Sequence, residues 1–460
     1  MNQVYDAIII GTGQAGPSLA KRLSDAGMSV AIIERHLFGG TCVNTGCIPT
    51  KAMVASAYAA HLARRASDFG VVSGDEVGVD MKEVKARKDA ISEQSRSGVE
   101  KMLRGLPRCR VYVGHGRMRA AHEVAVADDV LSADRIFINV GGRALVPSMP
   151  GLDRVPFLTN SSMMDLDAVP PHLVIIGGSY VGLEFGQMFR RFGSEVTIVE
   201  MASRLVQHED ADVSLAIQEI LTNEGIRLRL NARCVRMTGR VGAVTAHVDC
   251  EEGSPSIEGT HLLLAAGRRP NTDDLGLEAA GVMRDERGYI VVNDRLETNV
   301  PGVWALGDCN GKGAFTHTAY NDFEIVASNL LDGATRRVSD RISAYALYID
   351  PPLGRAGLTE EEARVRGHDV LVGKRPMTRV SRAVEKGETN GFMKIIVDGQ
   401  SREILGAAVL GTGGDEVIHC VLDTMYAKAP YLVLQRAMHI HPTVSELIPT
   451  LLGELTRCHA

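Results

Sequence analysis

Two cysteines, Cys42 and Cys47, stand five positions apart in the segment FGGTCVNTGCIPTKAMVASA. Thiols at this spacing can alternate between dithiol and disulfide if the backbone brings their Cα atoms within about 7 Å. Zinc is the first competing ligand. The spacing argues against it, because zinc pairs are usually closer, a second pair is missing, and His36 and His61 lie outside finger spacing. Inert, buried thiols are the second alternative. The helical stretch predicted after Cys47 favours a reactive pair, since the helix dipole and Lys51, one turn beyond, both stabilise a thiolate. A further group with proton chemistry sits near the end of the chain, where MHIHPTVSEL holds His439, His441 and Glu446. Histidines are more often structural than catalytic, so these residues alone leave both readings open.

A redox pair must be positioned beside an electron source, and the chain contains a repeated pattern of strand, glycine turn, helix, strand and acid. In the first copy YDAIII leads into GTGQAG, a helix to about Asp25, and a strand ending at Glu34. In the second HLVII leads into GGSYVG, a helix to about Arg191, and SEVTIVE ending at Glu200. Each acid follows the first glycine of its loop, Gly11 or Gly177, by 23 positions (34 − 11 and 200 − 177). Gly11 allows the tight turn, Gly13 lets backbone approach a pyrophosphate, and Gly16 lets helix pack on strand. Gly177, Gly178 and Gly182 supply the second loop, and the terminal glutamates can accept from ribose hydroxyls. A bare glycine motif is weak, whereas two copies with equal acid spacing predict two dinucleotide sites, a flavin and a diffusible nicotinamide.

Two more glycine turns, containing Gly142 and Gly267, follow short apolar strands. They are candidates for contact with FAD and NAD respectively, with ordinary strand-end turns as the alternative. From about residue 340 the pattern changes to alternating strands such as GFMKIIVD, which predicts a separate α+β domain.

The 460 residues suffice for about three domains, and 45% hydrophobic with 23% charged residues is the balance of a globular protein. A net charge of −6 with scattered Lys and Arg predicts no nucleic-acid partner. No run approaches the roughly 18 apolar residues of a membrane span, and the N-terminus lacks a secretory signal. A soluble, cytoplasmic protein without a membrane partner is expected. Eight cysteines are too few for a disulfide scaffold.

The string GGTCVNTGCIPTK resembles the active-site signature of the class I pyridine nucleotide–disulfide oxidoreductases, which include dihydrolipoamide dehydrogenase, glutathione reductase and mercuric reductase. Both nucleotide motifs, the GD motif near Asp308 and the HPT motif follow in the family's order, so the resemblance covers essentially the whole chain. It implies an α/β protein with two Rossmann-like nucleotide-binding domains, one for FAD and one for NAD(P), plus a C-terminal α+β dimerisation domain. The implied boundaries are 1–145 with 270–338 for FAD, 146–269 for NAD(P), and 339–460 for dimerisation. Cys47 would be the thiol beside the flavin and Cys42 the thiol that attacks substrate. Lys51 would lie near the flavin and pair with Glu184; Gly40, Thr41 and Asp308 would contact FAD; Tyr180 would gate the nicotinamide pocket. His441, oriented by Glu446, would be the acid–base group of the partner subunit's site in a homodimer. His439 is read as structural. No resident metal is implied.

Glu200 would bond both hydroxyls of NAD ribose and repel the 2′-phosphate of NADP, so NADH is preferred, although Arg204 lies four positions on. The phrases TGCIPTK and YALYIDPPLGRAGLTEEEAR resemble the mercuric-reductase-like subgroup, including relatives associated with reactive-chlorine and copper stress. The chain starts at its first nucleotide-binding strand without a metal-capture domain, and the tail carries one cysteine, Cys458, where mercury enzymes carry a vicinal pair. The expected acceptor is a small disulfide, a soft metal ion or an oxidant. Dihydrolipoamide dehydrogenase is the rival, supported by His317, and would bring lipoyl-type partners. A non-catalytic redox sensor or metal-binding flavoprotein is a third reading, opposed by the complete set of Lys51, Glu184, His441 and Glu446.

Overall fold

Short apolar runs with no polar alternation can only be strands covered on both faces. The computed structural model, which describes residues 2–72, 77–249 and 253–457, places AIII (Ala7–Ile10) and VAIIE (Val30–Glu34) as completely buried neighbours. They belong to a five-stranded parallel sheet ordered Val303–Ala305, Ile136–Ile138, Ala7–Ile10, Val30–Glu34, Cys109–Val113. Helix α1 (Ala15–Asp25) buries Leu19, Ala20 and Leu23 against this sheet.

The sequence predicts one helix start at Cys47. The structure adds a short helix, α2 (Gly40–Asn44), which carries Cys42, before α3 (Cys47–Arg64). Five residues are too few to show periodicity, and the turn is closed by Asn44, whose side-chain amide donates to the carbonyls of Phe38 and Gly40. Pro49 is the third residue of α3, where its missing N–H has no helical acceptor to lose. Helix α4 (Met81–Gly105) begins on Asp80, whose carboxylate accepts from the N–H groups of Lys82 and Glu83.

The second glycine motif builds a four-stranded parallel sheet ordered Arg227–Arg229, Glu195–Val199, His172–Ile176, His261–Leu264. Helix α5 (Tyr180–Phe192) buries almost its whole length between this sheet and α3, and α6 (Ala211–Asn223) follows. The strands after the two extra glycine turns, Gly142–Ala144 and Arg268–Pro270, pair antiparallel with each other. The sequence reading did not anticipate two small antiparallel meanders, at 117–133 and 233–259. Their strands are half-exposed, with buried residues such as Val244, Ala246 and Val248 alternating with more exposed ones.

The chain then returns to the first sheet, and α7 (Thr316–Leu331) follows. The last quarter forms a six-stranded antiparallel sheet ordered Ala344–Leu347, Leu353–Gly357, Ile404–Leu410, Phe392–Asp398, Val370–Pro376, Thr456–Arg457. A short helix, α8 (Glu360–Val365), starts on a Thr359–Glu362 capping box.

One buried guanidinium joins the second sheet's layer to the last sheet. Arg191 of α5 binds Glu224 through Nε at 2.9 Å and Nη2 at 2.7 Å, and Asp350 through Nη1 at 2.7 Å. Arg191→Ala would leave two carboxylates without their cation, and loss of about 3–5 kcal/mol is expected. A melting temperature equal to wild type would show that the triad contributes nothing to the joint.

Candidate active site

The two glycine loops share their constraints. Gly11 sits at φ +103° and a Cβ there would come 2.3 Å from the Asn139 carbonyl oxygen; a Cβ on Gly16 would come 2.4 Å from the Gly11 oxygen. Gly177 sits at φ +117°, and a Cβ on Gly182 would come 2.0 Å from the Gly177 oxygen. Only glycine fits these positions. At Gly178 a Cβ would meet Leu205 at 2.6 Å, and a Cβ on Gly40 would meet the Gly13 Cα at 2.9 Å.

The glutamates at the strand ends hold the loops from below. Glu34 accepts from the N–H of Thr12 at 3.1 Å and of His36 at 2.9 Å. Glu200 accepts from the N–H of Gly178 at 2.7 Å and of Ala202 at 2.9 Å. No side chain caps α1 or α5, so their first N–H groups remain available to an anion. Bare glycine backbone, uncapped helix ends and carboxylates with spare lone pairs fit dinucleotides at both loops.

A cavity of about 660 Å³ runs from the Gly11 loop past Glu34, Gly40 and Thr41 to the cysteine pair, and on to Tyr180 and Glu184. Gly13, Gly142, Asp308 and Lys51 also line it. Gly16 lies behind the loop in the sheet packing. Gly267 is exposed and does not line the cavity, although its neighbour Arg268 does. Arg268 Nη2 lies 3.4 Å from Asp308 and opposes the burial that raises the Asp308 carboxyl's pKa. Gly177, Gly178, Gly182 and Glu200 lie at the second loop, outside this cavity.

Cys42 and Cys47 carry free thiols that act on each other's pKa. Cys47 heads α3, whose N-terminus has no side-chain cap, and its Sγ is 3.1 Å from Thr316 Oγ1 on α7. Cys42 lowers the Cys47 thiol to about 6; Thr316 and Lys51 act in the same direction and burial acts against them. Cys42 moves the opposite way, because Cys47 raises it and it is itself buried. The proton therefore rests on Cys42 and the negative charge on Cys47.

One turn beyond Cys47, Lys51 Nζ meets Glu184 Oε2 at 2.7 Å and lies 4.5 Å from the centre of the Tyr348 ring. The other Glu184 oxygen accepts from the Tyr348 N–H at 3.0 Å. Tyr180, the first residue of α5, packs edge-on against Phe315 and Tyr345. His317 stacks on Phe315 at 5.4 Å on the cavity wall, with Nε2 2.7 Å from the Ala344 carbonyl.

His441 and Glu446 stand apart from the cavity of their own chain. Glu446 Oε2 lies 2.8 Å from His441 Nδ1, and the imidazole is 74% exposed. Their loop projects Met438 and Ile440 at 99% and 80% exposure, and His439 between them has its Nδ1 3.3 Å from the Ala437 carbonyl. Arg204 turns away to donate to the Gln207 carbonyl at 3.1 Å. Cys458 lies outside the described residues.

Sequence reasoning missed Thr316, Tyr348, Arg268 and Asn139, all on the cavity wall. Arg268 adjoins a glycine turn already singled out, and Thr316 and Tyr348 lie in the stretches AFTHTAYND and YALYIDPP, so position within those phrases was the available signal.

Residues 5–322 match the family described as Pyridine nucleotide-disulphide oxidoreductase, and residues 343–452 match its dimerisation domain. A probable pyridine nucleotide-disulfide oxidoreductase RclA of Escherichia coli (strain K12) is 36% identical over 452 residues, covering 96% of this chain and 97% of its own. Mercuric reductase of Streptomyces lividans is 34% identical, with 96% of this chain and 94% of its own covered. Dihydrolipoyl dehydrogenase of Thermus scotoductus is 32% identical, with 96% of both chains covered. Among solved structures, the Cu(II) complex of the HOCl-induced flavoprotein disulfide reductase RclA from Escherichia coli superposes with a TM-score of 0.90 at 35% identity. The match covers 98% of this chain and 99% of that one.

Labelling of the dithiol form by iodoacetamide, followed residue by residue in a mass spectrometer, should give a Cys47 midpoint near pH 6. Thr316→Val removes a donor to the thiolate and should move that midpoint upward. A Cys47 midpoint near the ordinary thiol value of about 8.5 in the unsubstituted protein would contradict this arrangement.

Proposed function

For this chain, which belongs to the pyridine nucleotide-disulphide oxidoreductases, we propose an electron path from NADH through FAD to Cys47 and Cys42, and from there to a small oxidised acceptor. The protein is a flavoprotein disulfide oxidoreductase that binds FAD, uses NAD(P)H and forms a homodimer through its dimerisation domain. The observation that supports the residue assignment is the shared cavity, which brings the Gly11 loop, the cysteine pair, Lys51, Glu184 and Tyr180 to one space. The domain division we propose is 1–145 with 270–338 for FAD, 146–269 for the nicotinamide nucleotide, and 339–460 for dimerisation.

Gly11, Gly13 and the open end of α1 hold the FAD pyrophosphate, Glu34 its ribose, and Asp308 with Gly40, Thr41 and Gly142 the remainder of the molecule. When bound, FAD supplies the two-electron relay between nicotinamide and cysteines. Tyr180 covers the nicotinamide pocket, and Glu200, with Gly177, Gly178 and Gly182, receives the NAD ribose. Gly267, in the turn beside Arg268, is the further residue proposed for NAD contact. NADH is favoured over NADPH because the Glu200 carboxylate would face a 2′-phosphate and Arg204 is engaged elsewhere.

On reduction the Cys42–Cys47 bond takes up two electrons and one proton, giving the thiol at Cys42 and the thiolate at Cys47. Lys51 and the α3 N-terminus keep the Cys47 charge stable. His441 of the partner subunit, oriented by its Glu446, takes the Cys42 proton as that sulfur attacks the acceptor, and returns it to a leaving thiolate. The proposed acceptors are a soft metal ion such as Cu(II) or Hg(II), a small disulfide or an oxidant, in keeping with the RclA and mercuric reductase relatives. Oxidation of dihydrolipoyl groups with NAD is the second reading, favoured by His317 on the cavity wall and by the dihydrolipoyl dehydrogenase relatives.

The deciding assay compares NAD reduction by free dihydrolipoamide with NADH oxidation by Cu(II), Hg(II) and small disulfides. Turnover with the latter set and negligible turnover with dihydrolipoamide is expected; the reverse establishes the lipoyl reading. His441→Ala should slow acceptor turnover by about 10²–10⁴-fold while anaerobic reduction of bound FAD by NADH keeps its rate. Slowed FAD reduction instead would remove His441 from the acid–base role.

A further inference from the structure

Behind Tyr180 lies a buried polar cluster for which neither motif accounts. Tyr345 packs edge-on against the Tyr180 ring at 5.5 Å and lies parallel to Phe315 at 5.6 Å. The Tyr345 hydroxyl bonds Glu209 Oε1. Glu209 is 0% exposed at its side chain, and the cation facing it is Arg355 of the Leu353–Gly357 strand, 1% exposed, at 3.8 Å. The other cation nearby, Lys394, is taken by Asp210, Asp212 and Glu360. Arg355 is thus the counter-ion of Glu209.

The cluster is incompletely satisfied. Among the described residues Arg355 Nη1 and Nη2 and Glu209 Oε2 find no hydrogen-bond partner, although all three are buried. Unmade bonds of this kind are costly and rare in protein interiors, so they call for an explanation. The Tyr345 bond supplies one. While Glu209 Oε1 serves Tyr345, the carboxylate stays 3.8 Å from the guanidinium; once Tyr345 lets go, Glu209 can close on the spare Arg355 donors. The carboxylate is an acceptor, so Tyr345 donates to it.

We propose that Glu209 and Arg355 are positioning residues for nicotinamide access: acting through Tyr345, they hold Tyr180 closed over its pocket, and their own closer pairing offsets the cost of releasing it. The inference rests on the reading of Tyr180 as the cover of the nicotinamide pocket. It assigns specificity for the nucleotide partly to the last sheet, because Tyr345 and Arg355 sit on adjacent strands of that sheet while Tyr180 and Glu209 flank the second nucleotide loop.

The test is calorimetric binding of NAD⁺ to the oxidised, FAD-loaded dimer, which reads affinity without turnover. Tyr345→Phe keeps the ring stacking and deletes the hydroxyl, so the closed state loses one hydrogen bond and NAD⁺ should bind about fivefold tighter. Unchanged or weaker binding in Tyr345→Phe, at unchanged melting temperature and FAD content, overturns the proposal. Tyr180→Ala separates the two layers of the argument. If it leaves NAD⁺ affinity unaltered, the cover reading fails and the proposal with it; if it alters affinity while Tyr345→Phe does not, the proposal alone fails.

Discussion

The Glu184 carboxylate is the constraint on which the site depends. A carboxylate at 8% exposure is costly to bury unless both oxygens are engaged. Here one oxygen takes Lys51 from the cysteine helix and the other takes the Tyr348 N–H from the last sheet's edge. Glu184 itself lies two residues beyond the last glycine of the second loop. A single charged group thus gathers the thiol pair, the second nucleotide loop and the C-terminal part of the chain. Because Lys51 is four residues from Cys47, satisfying Glu184 also fixes the cation that favours the thiolate.

How much of this could be read from the sequence depends on whether the constraint is local. The glycine loops were legible because φ values above +100° and contacts under 2.5 Å impose a residue type wherever the turn recurs. The strands AIII and HLVII were legible because a doubly covered strand has no polar alternation. Helix α2 was not, since GTCVN is shorter than the period that would reveal it. Thr316 beside Cys47, and Arg355 beside Glu209, are partners across 269 and 146 positions (355 − 209), and nothing in either local string signals the other. At the turn of Gly267 the glycine was conspicuous in the sequence, while its neighbour Arg268, which lines the cavity, carried no local signal of its own.

The C-terminal loop explains why a single chain looks unfinished. Met438, Ile440 and His441 are solvent-exposed on a loop whose Glu446 is already in place against the imidazole. Large apolar side chains left at such exposure beside an oriented histidine suit burial against a second copy, and a dimerisation domain covers this stretch. In the twofold arrangement proposed above each loop would leave its own chain and each cavity would receive one, so groups from distant parts of the sequence could meet without any long internal connection.

The way Glu34 and Glu200 grip their own loops bears on redesign of cofactor choice. Each carboxylate accepts two backbone N–H groups, so it is part of the scaffold of the turn as well as the contact proposed for ribose. Exchanging Glu200 for a small neutral residue to admit a phosphorylated nucleotide would also release the N–H groups of Gly178 and Ala202, loosening the turn that the nucleotide needs. An engineer seeking altered nucleotide preference would therefore have to rebuild an acceptor for those two donors before adding a cation for the phosphate.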